Sequence, residues 1–257
     1  MHYSIRRLTF TKKNILKKKF LILLFLSYFF SFSQSEKNID HQSILWTRYY
    51  NLLTLNDNWS IHTEFDNRVF LKPIAENLFV FRMQGRYKWN SNIETGVGFT
   101  YFSVYTQDPK QDFDFEIPEY RGQQDVTYKF NLKKITLNQR LQVEERFIHN
   151  ASKTELIDGT TFSWRFRYRL QAEYSFWEKE KQYLKAIVYD EIMLNTGKSI
   201  IYNTFDQNRI YAAVQYGINK NISVELGYLK SFQQRPSGVD YFNRDIIRLS
   251  IFHKMHW

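Results

Sequence analysis

The chain has 257 residues, no cysteine, and 18% aromatic residues against nine glycines and four prolines; a disulfide scaffold, a thiolate metal site, thiol catalysis and a lipidated amino-terminal Cys are excluded. Its formal net charge of +10 is not a nucleic-acid footprint, because seven basic residues and no acid fall within residues 1–33, and the 29 basic residues left against 26 acidic ones give +3. A chain this rich in rings yet polar on average has to sort its apolar residues onto one face, which alternating strands do most simply.

Residues 1–33 read as an address. The triple lysine Lys17-Lys18-Lys19 precedes the eleven-residue apolar run 20–30, and Ser31 and Ser33 supply small residues before a cut at Gln34. Basic region, short apolar region and small-residue site are the parts of a secretory signal; a spanning helix would need about 20 apolar residues. The spacing therefore predicts a cleaved signal over 1–33 and one domain over 34–257.

The first two candidate strands, 44–55 and 59–70, alternate weakly. In 78–90, Phe79, Phe81, Met83, Gly85, Tyr87 and Trp89 oppose Arg82, Gln84, Arg86 and Lys88. Further candidates follow at 93–101, 122–130 and 134–147. The clearest is 160–177, where Phe162, Trp164, Phe166, Tyr168, Leu170, Ala172, Tyr174 and Phe176 alternate with Ser163, Arg165, Arg167, Arg169, Gln171, Glu173 and Ser175. A helix would scatter those arginines around its circumference; a strand puts them all on one face. Strands at 183–194, 206–218, 222–228 and 244–257 complete a set of eleven. Short polar turns (56–58, 90–92, 131–133, 177–182, 219–221) alternate with longer segments (71–77, 107–121, 148–160, 195–205, 231–243). The pattern predicts an all-β, antiparallel transmembrane barrel of about 10–12 strands, with short periplasmic turns and longer extracellular loops. Bacterial single-chain barrels have even strand numbers, so eleven demands either a missed strand in 35–47 or a first segment that threads or caps the barrel.

In lipid the apolar face points out. Trp59, Tyr87, Trp89, Tyr128, Tyr174, Trp177 and Tyr228 gather toward strand ends, with Trp257 closing the chain, where an interfacial girdle is expected. Glu64, Arg68, Arg82, Arg86, Arg140, Glu144, Arg146, Arg165, Arg167, Arg169, Glu173, Arg209, Glu225 and Arg248 are then expected to line the lumen, in an ion-paired lattice or a basic constriction for small anionic solutes. The expected partners are outer-membrane lipid and, through a last strand ending on Trp257, the outer-membrane barrel assembly machinery; nucleic acid is not among them.

The chain also resembles an uncharacterised outer-membrane β-barrel family of Gram-negative bacteria, known only as a domain of unknown function. The likeness covers most of 44–257 and rests on Leu45-Trp46, Glu64 with Arg68, Arg140-Leu-Gln-Val-Glu144-Glu-Arg146 and Phe205-Asp-Gln-Asn-Arg209. It implies architecture and an outer-membrane location, and no activity. Two alternatives from other classes stay open: an outer-membrane lipid hydrolase using His62 or His149, and a soluble secreted β-barrel binding a small apolar ligand. His62 shares a face with Glu64 and Asp66, but no nucleophile, base and orienter converge in sequence. No metal-site or phosphate-loop pattern is present, so neither metal, cofactor nor catalytic residue is expected. The acidic stretch Gln107–Tyr120, with Asp108, Asp112, Asp114, Glu116 and Glu119, reads as a solvated outer loop.

Overall fold

The structure, a computed structural model, describes residues 36–110, 115–152 and 154–257; the expected signal over 1–33 and Asp112 and Asp114 of the acidic stretch lie outside the described residues. Eleven strands follow in chain order: β1 (Asn38–Thr54), β2 (Trp59–Leu71), β3 (Ile74–Lys88), β4 (Ile93–Val104), β5 (Ile117–Leu132), β6 (Ile135–Ala151), β7 (Leu156–Lys179), β8 (Gln182–Thr196), β9 (Phe205–Gly217), β10 (Ile222–Gln234) and β11 (Asp240–His256). Each pairs with its sequence neighbours, and the sheet closes on itself as a barrel.

One turn design recurs on one rim. Asn56, Asn90 and Asn219 each use the side-chain oxygen to accept the backbone N–H groups two and three residues on, at 2.8–3.0 Å. The short Asn side chain mimics a backbone turn and ties down donors that the ladder would leave open. The other two turns on this rim place Lys133 and Glu180 in left-handed backbone, with φ of 51° and 55°. On the opposite rim, the longer connection expected near 71–77 is only Lys72-Pro73, because β3 already begins at Ile74.

The odd strand number finds its answer in the closure. In a meander of eleven strands the first and last run the same way, and β1 pairs with β11 in parallel, from Asn38 opposite Asp240 to Thr54 opposite His256. There is thus no twelfth strand among the described residues; β1 starts at Asn38, on the long-connection rim, and is itself the closing strand. Following paired residues round the wall from Thr54 to Ser60 and Arg86, and on through Gln233 and Phe242, returns to Asp40, fourteen residues higher on β1. A stagger of that size tilts the strands by about 40°.

A parallel seam can be tested directly, because the chain has no cysteine to interfere. Leu45 and Ile247 are partners across it, and neighbouring strands lie about 5 Å apart, inside the Cα range of a disulfide. Leu45→Cys with Ile247→Cys should therefore oxidise to an internal disulfide, whereas Leu45→Cys with Met255→Cys should stay reduced. The opposite outcome would mean a slipped or antiparallel seam.

The wall is apolar outside. Val97, Leu141, Ile210 and Leu226 stand mid-strand, each about 60% exposed, which in water would be a large apolar surface and in a bilayer is the lipid-facing band. The interior is mixed rather than wholly polar. Ile44, Trp46, Phe70, Ile187, Tyr189, Tyr211, Leu229 and Ile246 form one buried apolar cluster on the β1, β2 and β8–β11 side. Leu78, Val80 and Phe102 form a smaller one on β3 and β4, and charged and neutral polar side chains fill the rest.

Candidate functional site

The interior charges assemble across strands by the period-2 rule: inward residues of neighbouring strands meet at their register positions. Glu64 on β2 accepts Arg82 of β3 at 2.5 Å. Arg86 does not join it; that guanidinium bonds Glu94 and Asp125 on β4 and β5. From β5 to β8 the pairs run on as an alternating chain. Glu119 accepts Arg121 at 2.7 Å and Arg146 at 2.6 Å. Glu144 accepts Arg121 at 3.0 Å and Arg167 at 2.6 Å, with Arg165 at 3.9 Å. Glu191 then accepts Arg167 at 2.9 Å and Arg140 at 2.7 Å. Charge-assisted bonds of this kind hold long side chains in fixed positions. Arg248 closes the far side, bonded to Glu225 at 2.9 Å and stacked 3.8 Å from the Tyr211 ring. Glu173 meets Lys185 at 2.6 Å near the short-turn rim.

Between these groups runs a cavity of about 890 Å³. It borders Gln107 and Pro236 at the long-connection rim and Lys129, Lys185 and Lys254 at the other. Of the fourteen residues expected in the lumen, all but Glu144 border it; Glu144, 1% exposed, lies in the wall beneath three arginines. Counting only described lining residues, seventeen Lys and Arg face seven Asp and Glu.

Several interior groups carry no clear signal in sequence. Arg48 and Trp46 sit on β1, whose inward face also carries Ile44, Tyr50 and Leu52, so apolar-out alternation fails there. Glu191 hides between inward Tyr189 and Met193 on β8. Arg121 and Asp125 were findable, since with Gln123 and Thr127 they make up one polar face of β5. Glu119, expected in a solvated loop, is the buried partner of Arg121 and Arg146. Glu116 accepts the Ser103 hydroxyl.

Among the expected interfacial aromatics, Trp59, Tyr87, Trp89, Tyr128, Tyr174, Trp177 and Trp257 lie at or near the short-turn rim, and Trp59 packs edge-on against Tyr87, which packs the same way against Trp89. Tyr228 does not lie at a strand end. Because β10 continues to Gln234, it stands mid-strand, and its hydroxyl bonds Asp245.

The two histidines proposed for hydrolysis are apart. His62 has Glu64 3.2 Å from Nε2 and is stacked on Tyr50 at 4.0 Å. His149 is near the opposite rim, its Nδ1 3.0 Å from the Asn150 carbonyl. Among the described residues no hydroxyl is hydrogen-bonded to the His62 ring.

A family profile described as Protein of unknown function (DUF2490) matches residues 44–243. Among solved structures, the β domain of the Bordetella autotransporter BrkA is similar at 8% identity and a TM-score of 0.44, over 71% of this chain and 80% of that one. LpxR from Salmonella typhimurium is similar at 9% identity and a TM-score of 0.46, over 76% of this chain and 83% of that one. No curated relative matches the chain.

Proposed function

We propose that this chain, which belongs to that family of unknown function, spans the outer membrane as a barrel whose lumen draws in small anionic solutes. In this reading residues 1–33 are a cleaved export signal and 34–257 the barrel. Lipid covers the outer apolar band, the aromatic set lies at the interface, and the barrel assembly machinery reads the last strand. No catalytic residue, metal or cofactor takes part. The observation that carries it is the lining of the cavity, seventeen cations against seven anions, a surplus that remains when the buried carboxylates of Asp66, Asp125 and Glu144 behind the lining are added. In a low-dielectric wall such a surplus sets a positive potential and selects anions, as charged rings do in channels. An apolar ligand in a soluble barrel would need the faces exchanged. A hydrolase would need a nucleophile beside His62, where Glu64 and Tyr50 stand.

The test is single-channel recording of the purified protein in planar bilayers. The native barrel should pass small currents with anion preference. Arg167 is a poor place to reverse charge, because Glu144 and Glu191 clamp it from both sides. Arg169 has no hydrogen-bonded carboxylate, and Lys254 borders the cavity at the short-turn rim. Arg169→Gln with Lys254→Gln should lower the anion-to-cation permeability ratio about twofold or more. Cation preference, or no current at any voltage, would overturn the pore.

A further inference from the structure

Weakly paired positive charge gathers around Trp46 in the lumen. This side chain faces inward from β1, is 5% exposed, and its indole Nε1 has no hydrogen-bond partner. Three guanidiniums approach its ring: Arg68 at 3.7 Å, Arg248 at 5.4 Å and Arg209 at 5.8 Å from the centroid. They come from β2, β11 and β9, and only Arg248 is satisfied, by Glu225, Tyr211 and Tyr189.

Arg68 and Arg209 are different. Their nearest carboxylates, Asp66 at 3.7 Å and Glu191 at 3.8 Å, lie beyond hydrogen-bond reach. Glu191 is already bonded to Arg140 and Arg167, and Asp66 is buried in the wall and does not border the cavity. Both guanidiniums leave Nε buried without a partner. Arg68 is further repelled by Arg209, Arg82 and Arg244. Arg244 bonds only the neutral amides of Gln42, Gln107 and Gln233, so its charge is not cancelled. Buried donors without acceptors are costly to hold, and a ligand that supplies acceptors and negative charge together relieves both problems.

We propose that Arg68, Arg209 and the Trp46 indole N–H form a binding site for a phosphate group, with Arg244 adding positive potential from the long-connection side. The planar guanidinium forks suit the oxygens of phosphate, and the indole N–H adds a third donor from the strand between the two arginines' sides of the barrel. The site rests on the anion-drawing reading of the lumen and gives it a ligand class.

Trp46 is the one inward-facing tryptophan among the described residues, which supplies the readout. Inorganic phosphate, titrated into the purified protein in detergent at ionic strength held constant with chloride, should change tryptophan emission saturably. Glycerol 3-phosphate should do the same if the site takes phosphate esters as well as the free ion; a response to inorganic phosphate alone narrows the ligand to the free ion. Trp46→Phe should abolish the optical change. Arg68→Gln and Arg209→Gln should each weaken binding about tenfold or more, with heat-dependent gel mobility confirming that each variant is folded. A native protein with no saturable response, or unchanged affinity in a folded Arg209→Gln variant, would overturn the site. Anion-selective current without phosphate binding would sink the site and leave the pore; phosphate binding that depends on Arg68 and Arg209 without current would do the reverse.

Discussion

Glu144→Gln should cost the barrel about 3–5 kcal/mol, the range for removing one partner of a buried ion pair, and move its urea midpoint down by roughly 1–2 M. The reason lies in how many charges share one carboxylate. Glu144 is 1% exposed, holds Arg121 and Arg167 through separate oxygens, has Arg165 nearby, and accepts Gln142 at 2.8 Å. A glutamine keeps the shape and one acceptor oxygen, so the loss is one of charge rather than of packing. Three guanidiniums would then face each other where little water can reach them. Arg121 retains Glu119, and Arg167 retains Glu191, but Arg165 keeps one carboxylate, Asp206 at 3.1 Å, and the neutral Asn195 side-chain oxygen at 3.2 Å.

Glu173→Gln is the control. Its pair with Lys185 is near the short-turn rim, with about 20% of each side chain exposed, and water can replace the lost charge partner. The expected loss is under about 1 kcal/mol. Equal losses at the two positions would mean that the lumen is wet enough to screen Glu144, and the alternating chain from Glu119 to Glu191 would then contribute little to stability.

The strands were legible because an apolar outer face and a largely polar inner face impose the same period on every strand that crosses the band. All eleven lie where alternation predicts them, and β7, with four charges between aromatics, shows it most clearly. Alternation fades where its cause fades. β1, β3, β5, β7 and β11 begin four to six residues earlier than the pattern predicts, and β6 and β10 end four and six later, all at the long-connection rim. There His41, Ser43, Lys230, Asn243 and Asp245 face outward, since polar groups are no longer excluded while the backbone ladder continues. The misplacement of Tyr228 follows from that fading. The interior was read only in part for the opposite reason. An inward position tolerates either charge or ring, so Trp46, Tyr189 and Tyr211 broke the pattern, although Arg68 and Arg209 beside Trp46 were expected in the lumen. Pairing partners were harder still. In register Arg140 lies opposite Arg169 and Arg146 opposite Ser163, yet the two guanidiniums reach Glu191 and Glu119, because long side chains extend past their register partners.

Thr47→Pro should destabilise the barrel by about 3 kcal/mol or more and reduce the heat-dependent gel shift that marks closure. Thr47 lies in the closing strand, with Leu249 of β11 on one side and Asn67 of β2 on the other, so a proline there removes a ladder donor whichever neighbour it served. At that height the outer face is apolar, and in a bilayer the abandoned carbonyl would have no water to take its place. His41→Pro should be much milder, about 1 kcal/mol. His41 is exposed, pairs only with Asn243 across the seam, and lies where β1 has run past the end of β2. A closed meander with an odd number of strands has one parallel pair and no spare edge, so the stability of the whole ring depends on β1 in a way that no hairpin can replace. If Thr47→Pro and His41→Pro prove equally stable, β1 is not sealed along its length, and the barrel opens at the seam between β1 and β11.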